Sequence, residues 1–289
     1  MTAVRACALW GLGVALSACA GPPPSVGTVP DGAVVIARFG EARALGSDGA
    51  GRLYVADAAR SAVAVLDTAG RPLRRLGGTD PAFLDVSDVD PTNGQALFVA
   101  DAGTGRIVRF TAEGRAAETI DVPEAGAADR FDALGEAAPG RPVAVAAGPG
   151  NEVYAVEAER GHVLRWSASR QLDRVLGSAS READPQARLV APSALAVTDA
   201  GSVVVADGAR AVVFGALGGL EGVVPAAELA TIVNVAVTDR GVLYVGPRGL
   251  REGDAPARAV DVGEALVDAT RSGAHLYVLT PTRLLRLPD

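Results

Sequence analysis

The sequence contains no lysine, so all 27 of its basic residues are arginine, against 34 acidic residues and a net charge of −7. The absence of lysine excludes a Schiff-base lysine, a P-loop lysine and a lysine general base. An acidic surface also disfavours binding to the phosphates of nucleic acid. We therefore expect no nucleic-acid partner.

Cysteine, histidine and aromatic residues are equally scarce. The only cysteines are Cys7 and Cys19, so the chain beyond residue 19 can form no disulfide and has no thiolate nucleophile or metal ligand. The two histidines, His162 and His275, fall at opposite ends of predicted strands, and we expect surface positions for both. Aromatic residues make up only 4% of the chain, so a core must be built from Val, Leu and Ala.

The first 19 residues have the form of an export signal. Arg5 precedes an apolar run from Ala6 to Leu16, which is too short to span a membrane. The next motif, Leu16-Ser17-Ala18-Cys19, resembles the bacterial lipobox. The resemblance implies a lipoprotein signal peptide over residues 1–18 and lipid attachment to Cys19. An ordinary secretory signal with a chance cysteine is the alternative.

The stretch after Cys19 predicts a tether. Residues 20–31, AGPPPSVGTVPD, are rich in Pro and Gly and suggest a semi-rigid spacer, so we place a lipidated tether at 19–32 and the folded domain at 33–289. The predicted location is the extracytoplasmic side of a bacterial envelope, anchored to the membrane through Cys19. In a Gram-negative host, Ala20 after the cysteine implies the outer membrane, facing the periplasm.

A repeat organises the remainder of the chain. Residues 44–78 contain four short apolar runs separated by Gly and Asp turns, which predict a four-stranded antiparallel sheet. Decaying copies continue to the C-terminus, and six units between residues 33 and 289 have about 43 residues each, the length of a propeller blade. We therefore predict an all-β, six-bladed β-propeller.

The two ends of the repeat array predict how the ring closes. The sixth unit ends after its third strand, RLLRL, whereas Val34 to Phe39 is a single apolar strand before the first unit. We predict that this N-terminal strand completes the last blade, which removes two exposed sheet edges.

The repeat resembles that of NHL-type six-bladed propellers. The shared pattern is LAV-x-DxxG-x-LYVAD followed by a second DxxG turn, and it is seen in residues 44–77, 89–120, 143–177 and 194–214. This resemblance implies the fold, but its motifs are structural and imply no reaction.

Four acids recur at the ends of second strands, namely Asp57, Asp101, Glu157 and Asp207. We expect them to accept hydrogen bonds from backbone amides of the neighbouring turns, with an acidic binding face as the alternative. Two insertions, Asp121 to Arg141 and Ser178 to Leu189, fall on the same face and predict a partner contact or a partial lid.

A second set of polar residues begins the first strands, namely Glu41, Asp88, Ser193, Asn234 and Asp268, and we expect them at the mouth of a central channel. The chain is distantly similar to gluconolactonase-like propellers, which hold one divalent ion there through Glu, Asn and Asp. The resemblance implies Glu41 and Asn234 as ligands, with Asp88 or Asp268 as the acid. The sequence departs from the family at two points. Val235 stands where the family's motif has Gly, and the family's Gly/Ser-Pro-x-Trp is absent near Ala42 to Leu45.

Two functions follow from these features. The first is a monomeric, membrane-anchored scaffold without catalytic residues or cofactor, which binds an envelope protein or glycan. The alternative is a divalent-metal-dependent hydrolase of the gluconolactonase type, with calcium or zinc activating a water molecule.

The lipobox predicts the outcome of a single substitution. Cys19→Ser removes the thiol that would carry lipid, so the protein is expected to lose palmitate incorporation and to move from the membrane fraction to the soluble extracytoplasmic fraction. The measurement is metabolic labelling with radioactive palmitate followed by fractionation. Cys7→Ser is the matched control, and equal labelling of all three proteins would contradict the lipobox assignment.

Overall fold

The computed structural model describes residues 32–78, 81–91, 95–123, 140–157, 159–178 and 181–288. Within these ranges the chain forms six four-stranded antiparallel sheets, which confirms the predicted six-bladed β-propeller. The predicted signal peptide, Cys19 and nearly all of the tether lie outside the described residues. No helix in the described part of the chain is long and apolar enough to span a membrane.

Each blade contains four strands, and in the first five blades these run in chain order from the channel to the perimeter. The first two blades are β2 (Ala42–Ser47), β3 (Arg52–Asp57), β4 (Ala62–Asp67) and β5 (Pro72–Gly77), then β6 (Val86–Asp90), β7 (Ala96–Asp101), β8 (Arg106–Thr111) and β9 (Ala116–Asp121). Blades three and four are β10 (Pro142–Ala147), β11 (Val153–Glu157), β12 (His162–Trp166) and β13 (Leu172–Leu176), then β14 (Pro192–Val197), β15 (Val203–Asp207), β16 (Arg210–Phe214) and β17 (Leu220–Pro225).

The last two blades are less regular at the perimeter. Blade five is β18 (Asn234–Thr238), β19 (Gly241–Gly246), β20 (Gly249–Glu252) and β21 (Arg258–Ala259), while blade six has β22 (Asp268–Ser272), β23 (His275–Leu279) and β24 (Arg283–Leu287). The outer strand of blade five is only two residues long. Short 3₁₀ turns occur at Ala58–Arg60, Pro185–Ala187 and Ala227–Leu229.

The fourth strand of blade six comes from the other end of the chain. Strand β1 (Val34–Arg38) pairs antiparallel with β24, with Val34 opposite Arg286 and Arg38 opposite Arg283. The predicted closure is therefore confirmed, and β1 also packs Val35 against the core between blades five and six. Without β1 the outer edge of β24 would be unpaired.

The hydrophobic core is divided into six clusters, one between each pair of neighbouring blades. Between blades one and two, for example, Tyr54 and Val65 pack against Phe83 and Phe110. Trp166 is buried between blades two and three, where it contributes to packing between blades. Because each sheet buries both faces, a blade depends on its neighbours for stability.

The ring has two distinct faces. The loop face carries the ends of the second strands, such as Asp57, and the connections between blades. The hairpin face carries the turns within blades, such as residues 48–51 and 68–71. First strands run from the loop face to the hairpin face, and fourth strands run back.

Blade five departs from the register that its sequence suggests. In blades one and six the tyrosine of the LYV motif, Tyr54 or Tyr277, packs toward the next blade. In blade five, Tyr244 packs toward the preceding blade, and Leu243 takes the position that faces blade six. The strand is therefore shifted by one residue relative to the motif, which exchanges its two faces.

The turn glycines of the DxxG motif are required by contacts between blades. Gly70 has a φ of 81°, and a Cβ there would collide with the carbonyl of Ile36 in β1. Gly114 has a φ of 77°, and it packs against Arg74 and Leu76 of blade one. Glycine thus supplies both the left-handed conformation and the close approach.

Ring closure by β1 predicts a large effect of truncation. A chain that begins at Gly40 loses the hydrogen bonds between β1 and β24 and the packing of Val35 and Ile36. Each lost hydrogen bond costs about 1 kcal/mol, so the thermal unfolding midpoint should fall by about 10 °C or more relative to a chain that begins at Gly32.

Circular dichroism melts compare the two chains, and a synthetic peptide of residues 32–39 added in trans should restore part of the lost stability. Identical melting of both chains would show that closure by β1 is not needed for stability.

Candidate functional site

A cavity of about 640 Å³ occupies the centre of the ring. Its wall consists of the first strands of all six blades together with their first hairpins, from residues 45–49 in blade one to residues 270–273 in blade six. No described residue of the connections between blades lines it. The cavity therefore opens on the hairpin face, and Asp88, Asn234 and Asp268, which lie at the starts of first strands, line its opposite, deep end.

Asp88, Asn234 and Asp268 line this cavity together. Asp88 pairs with Ala100, Asn234 with Val245 and Asp268 with Leu279, which places the three side chains at equivalent positions of blades two, five and six. The other three blades carry alanine at that position, namely Ala44, Ala144 and Ala194. Because these three side chains are small, they leave space at the deep end of the cavity.

The two carboxylates bridge neighbouring blades. Asp88 Oδ2 accepts a hydrogen bond from Val145 N of blade three at 2.7 Å, and its Oδ1 accepts from Val89 N at 2.8 Å. Asp268 Oδ2 accepts from Leu45 N of blade one at 2.6 Å, and its Oδ1 accepts from Ala269 N at 2.6 Å. Inner strands have no further strand beside them, so these side chains satisfy amides that would otherwise face the channel.

Burial disfavours the ionised form of both carboxylates. Burial raises the pKa of Asp88 to about 7, the charge of Asp90 adds to this effect, and the hydrogen bonds from Val145 and Val89 oppose it. Part of Asp88 still faces the cavity, although the side chain lies deep in the protein body. Burial likewise raises the pKa of Asp268 well above its ordinary value, and the charge of Asp88 raises it further. Desolvation thus outweighs the backbone amides at both positions.

A second layer of acids lies nearer the mouth. Asp90 Oδ2 accepts a hydrogen bond from Ala147 N at 2.5 Å. Buried Asp48 accepts from the Tyr54 hydroxyl at 3.1 Å and is ion-paired with Arg52. Asp199 and Asp239 are exposed in the hairpins at the rim.

The cavity wall contains one base, Arg271, which donates to Glu252 outside the cavity through Nε at 2.7 Å and Nη2 at 2.9 Å. The described wall therefore carries six aspartates and one arginine whose charge is already compensated. The residues of the second layer and rim were not predicted from the sequence. The recurring Ser/Thr-Asp pair before the first hairpin, at Ser47, Thr198 and Thr238, was the available signal.

Two predicted residues lie elsewhere. Glu41 lies in the connection that precedes β2 on the loop face, where its side chain is exposed and accepts from Arg43 Nη2 at 2.8 Å. Arg43 also pairs with Asp85 of blade two at 2.8 Å. The Ser193 hydroxyl donates to Ile232 O of blade five at 3.3 Å, so it joins two blades. Neither residue lines the cavity.

The described side chains do not fit a divalent ion as they stand. Glu41 is remote from the cavity, and each oxygen of Asp88 and Asp268 accepts from a backbone amide. Asn234 Oδ1 accepts from Val235 N at 2.5 Å. Among the residues with described positions, no three His, Cys, Asp or Glu side chains converge as metal ligands. The metal role of these residues stays a prediction, and this geometry gives it no support.

The four acids that end second strands are buried and accept hydrogen bonds from the backbone. In each of the first four blades the carboxylate accepts a hydrogen bond from a backbone amide that precedes the first strand. The donors are Glu41 N for Asp57, Asp85 N for Asp101, Arg141 N for Glu157 and Ala191 N for Asp207. Asp101 and Glu157 also cap the turn that follows. These bonds agree with the expected capping, whereas the binding face stays a prediction.

Most of the first insertion, residues 124–139, lies outside the described residues. The described part of the second insertion packs against the domain, because Ala187 and Leu189 are buried in the core between blades three and four. The histidines lie at opposite faces, as expected, and His275 is exposed, but His162 is buried and its predicted surface position is wrong. Its neighbours in β12 belong to the core between blades, so the His162 side chain is buried with them.

No protein-family model matches the sequence, and no curated protein matches it. Solved structures do match the fold. A streptogramin B lyase aligns with a TM-score of 0.65 at 10% identity over 89% of this chain and 97% of its own. A protein with a provisional gluconolactonase assignment aligns at 0.67, with 14% identity over 89% and 92% of the two chains.

A gluconolactonase from Xanthomonas campestris aligns with a TM-score of 0.63 at 12% identity, over 89% of each chain. At these identities the likeness shows the fold alone. The chain is therefore a six-bladed propeller similar to gluconolactonase-like and lyase propellers, while the NHL resemblance and the lipobox stay predictions.

The raised pKa values predict that stability depends on pH. Because the pKa of folded Asp88 is about 7 against an ordinary value of 3.8, ionisation is harder in the folded state and stability falls as pH rises through this range. Between pH 5 and pH 8, Asp88 alone should remove about 2 kcal/mol from the free energy of unfolding. The Asp88→Asn variant keeps an acceptor oxygen and should show a smaller loss.

Urea unfolding at both pH values measures this difference. Asp121→Asn is the matched control, since that side chain is 84% exposed and lies outside the cavity. Equal stability of the parent protein at pH 5 and pH 8 would contradict the raised pKa values.

Proposed function

We propose that this protein is a lipid-anchored, extracytoplasmic β-propeller that serves as a ligand-binding scaffold in the bacterial envelope. Its ligand is a small, polar, positively charged molecule held in the central cavity. The observation that carries the proposal is the acidic cavity, whose described wall combines six aspartates with an arginine already paired to Glu252.

The size and shape of the cavity support binding of a small molecule. A volume of about 640 Å³ lies within the range of roughly 300 to 1,000 Å³ that is typical of ligand sites. Acids lie at three depths, with Asp88 at the deep end, Asp90 two residues closer to the mouth and Asp239 at the rim. A cation that enters from the hairpin face therefore meets the carboxylates of the rim and the second layer first, and Asp88 and Asp268 add negative charge only as they ionise.

The same geometry favours binding over catalysis. The described cavity wall contains no histidine or cysteine, and its deep carboxylates, Asp88 and Asp268, already accept hydrogen bonds from backbone amides. Asp88 joins blade two to blade three, and Asp268 joins blade six to blade one. These roles support a rigid binding site.

The anchor at Cys19 and the envelope partner remain parts of the proposal. A protein or glycan partner of the envelope would meet the loop face, where Leu84 and Val190 are exposed. A monomer is consistent with a ring that closes within one chain.

The alternative function is a divalent-metal-dependent hydrolase of the gluconolactonase type. Two observations favour it: Asp88, Asn234 and Asp268 line one cavity, and gluconolactonases are among the proteins of similar fold. The missing glutamate and the occupied carboxylate oxygens count against it.

Thermal unfolding with spermidine, a small polycation, tests the proposal. A ligand at 100 times its dissociation constant stabilises by about 2.7 kcal/mol, which should raise the midpoint by roughly 5 to 10 °C. Asp90→Asn removes one cavity charge while keeping an acceptor for Ala147 N, so it should reduce the shift. Asp121→Asn makes the same charge change outside the cavity and should leave the shift unchanged.

A shift of equal size in the parent protein and in both variants would contradict binding in the cavity. The absence of any shift with spermidine would overturn the cationic ligand. Calcium, zinc and manganese ions form a second arm of the titration, and a shift that Asn234→Ala abolishes would favour the hydrolase.

A further inference from the structure

The chain leaves the propeller toward Cys19 on the hairpin face. Fourth strands run from the hairpin face to the loop face, and β1 is the fourth strand of blade six. Its first residue, Val34, therefore lies on the hairpin side, opposite Arg286. Gly32 lies beside Pro288, at the same side of the ring. The described chain thus begins on the face where the cavity opens.

The face at which the tether would join the ring favours one orientation. Twelve residues, 20–31, lie between Cys19 and Gly32 in the sequence, and the chain from Cys19 to Gly32 spans at most about 45 Å. The ring itself is about 20 Å from face to face, the length of a six-residue strand. To bring the loop face against the bilayer, the tether would need to run past the whole height of a blade, whereas the hairpin face is adjacent to the anchor.

More of the exposed apolar side chains lie on the same side than on the loop face. Of the six large hydrophobic residues that are exposed in the described ranges, Val34 (46%), Leu73 (55%) and Leu217 (88%) lie toward the hairpin face, and Val237 (38%) lines the cavity near its mouth. Leu84 and Val190 lie on the loop face. Leu217 is at the tip of a glycine-rich turn, residues 215–219, where it can reach a lipid surface.

We propose that the hairpin face docks on the bilayer that carries the lipid anchor. This inference rests on the anchor proposed above. The mouth of the central cavity then opens toward the membrane, and the ligand enters through the space between protein and bilayer. Docking uses apolar contact with the interface, since the chain is acidic overall and has no basic excess to attract anionic lipid.

Fluorescence quenching in the full-length lipoprotein tests this orientation. Ala274→Cys places a thiol on the hairpin face and Ala59→Cys places one on the loop face, and both positions are exposed. The lipidated Cys19 does not react, so each variant takes one environment-sensitive dye. In phosphatidylcholine vesicles with headgroup spin labels, quenching should be about twofold greater at position 274, because the two sites differ in height by about 20 Å.

Leu217→Ser provides a matched comparison with Val190→Ser, because the two residues are similarly exposed on opposite faces. The first substitution should reduce quenching at position 274, and the second should leave it unchanged. Equal quenching at positions 274 and 59, or stronger quenching at 59, would overturn the docking proposal.

The outcomes separate the proposals on which this one rests. A protein that lacks palmitate and does not associate with vesicles contradicts the anchor and the docking together. A lipidated protein without a difference between the two dyes contradicts the docking alone. Spermidine binding is measured in solution on the chain that begins at Gly32, so its failure contradicts the proposed ligand and leaves the orientation unaffected.

Discussion

The structure depends on the closure of the ring by the first strand. Each blade buries both of its faces against neighbours, so an open array would leave two apolar sheets exposed at its ends. Pairing of β1 with β24 joins the ends and completes the core between blades five and six, where Val35 packs beside Leu285. The same pairing decides that the chain enters the propeller from the hairpin face. The face on which the described chain begins is therefore a consequence of the closure.

In the closed ring, the backbone amides on the inner edges of the first strands have no neighbouring strand to bond to. Asp88, Asp90 and Asp268 accept from some of these amides and thereby connect neighbouring blades. The cost is that buried carboxylates hold protons more tightly, as the raised pKa values of Asp88 and Asp268 show. The acidity of the cavity and the rigidity of its wall thus have one origin. A cationic ligand would relieve the repulsion between these groups.

The repeat predicts the fold well because alternation and turn chemistry act within one blade. Gly70 and Gly114 mark turns, and Asp57 and its equivalents bind nearby amides, so each signal is local. The candidate site was predicted less well. Asp88, Asn234 and Asp268 line the cavity, whereas Glu41 does not, because one residue before the strand it turns outward to Arg43.

The sequence by itself determined the number of blades, the strand that closes the ring and the glycines that permit its turns, since these depend on periodicity and local conformation. Only the tertiary structure decided that the cavity opens on the hairpin face and which partners the acids have. Asp268 meets Leu45 across 223 positions of sequence, and Asp88 meets Val145 across 57. The one-residue shift of blade five, which places Leu243 at the position that tyrosine occupies in blades one and six, likewise depends on packing between blades. Such contacts arise from the register of separate strands, which no local pattern specifies.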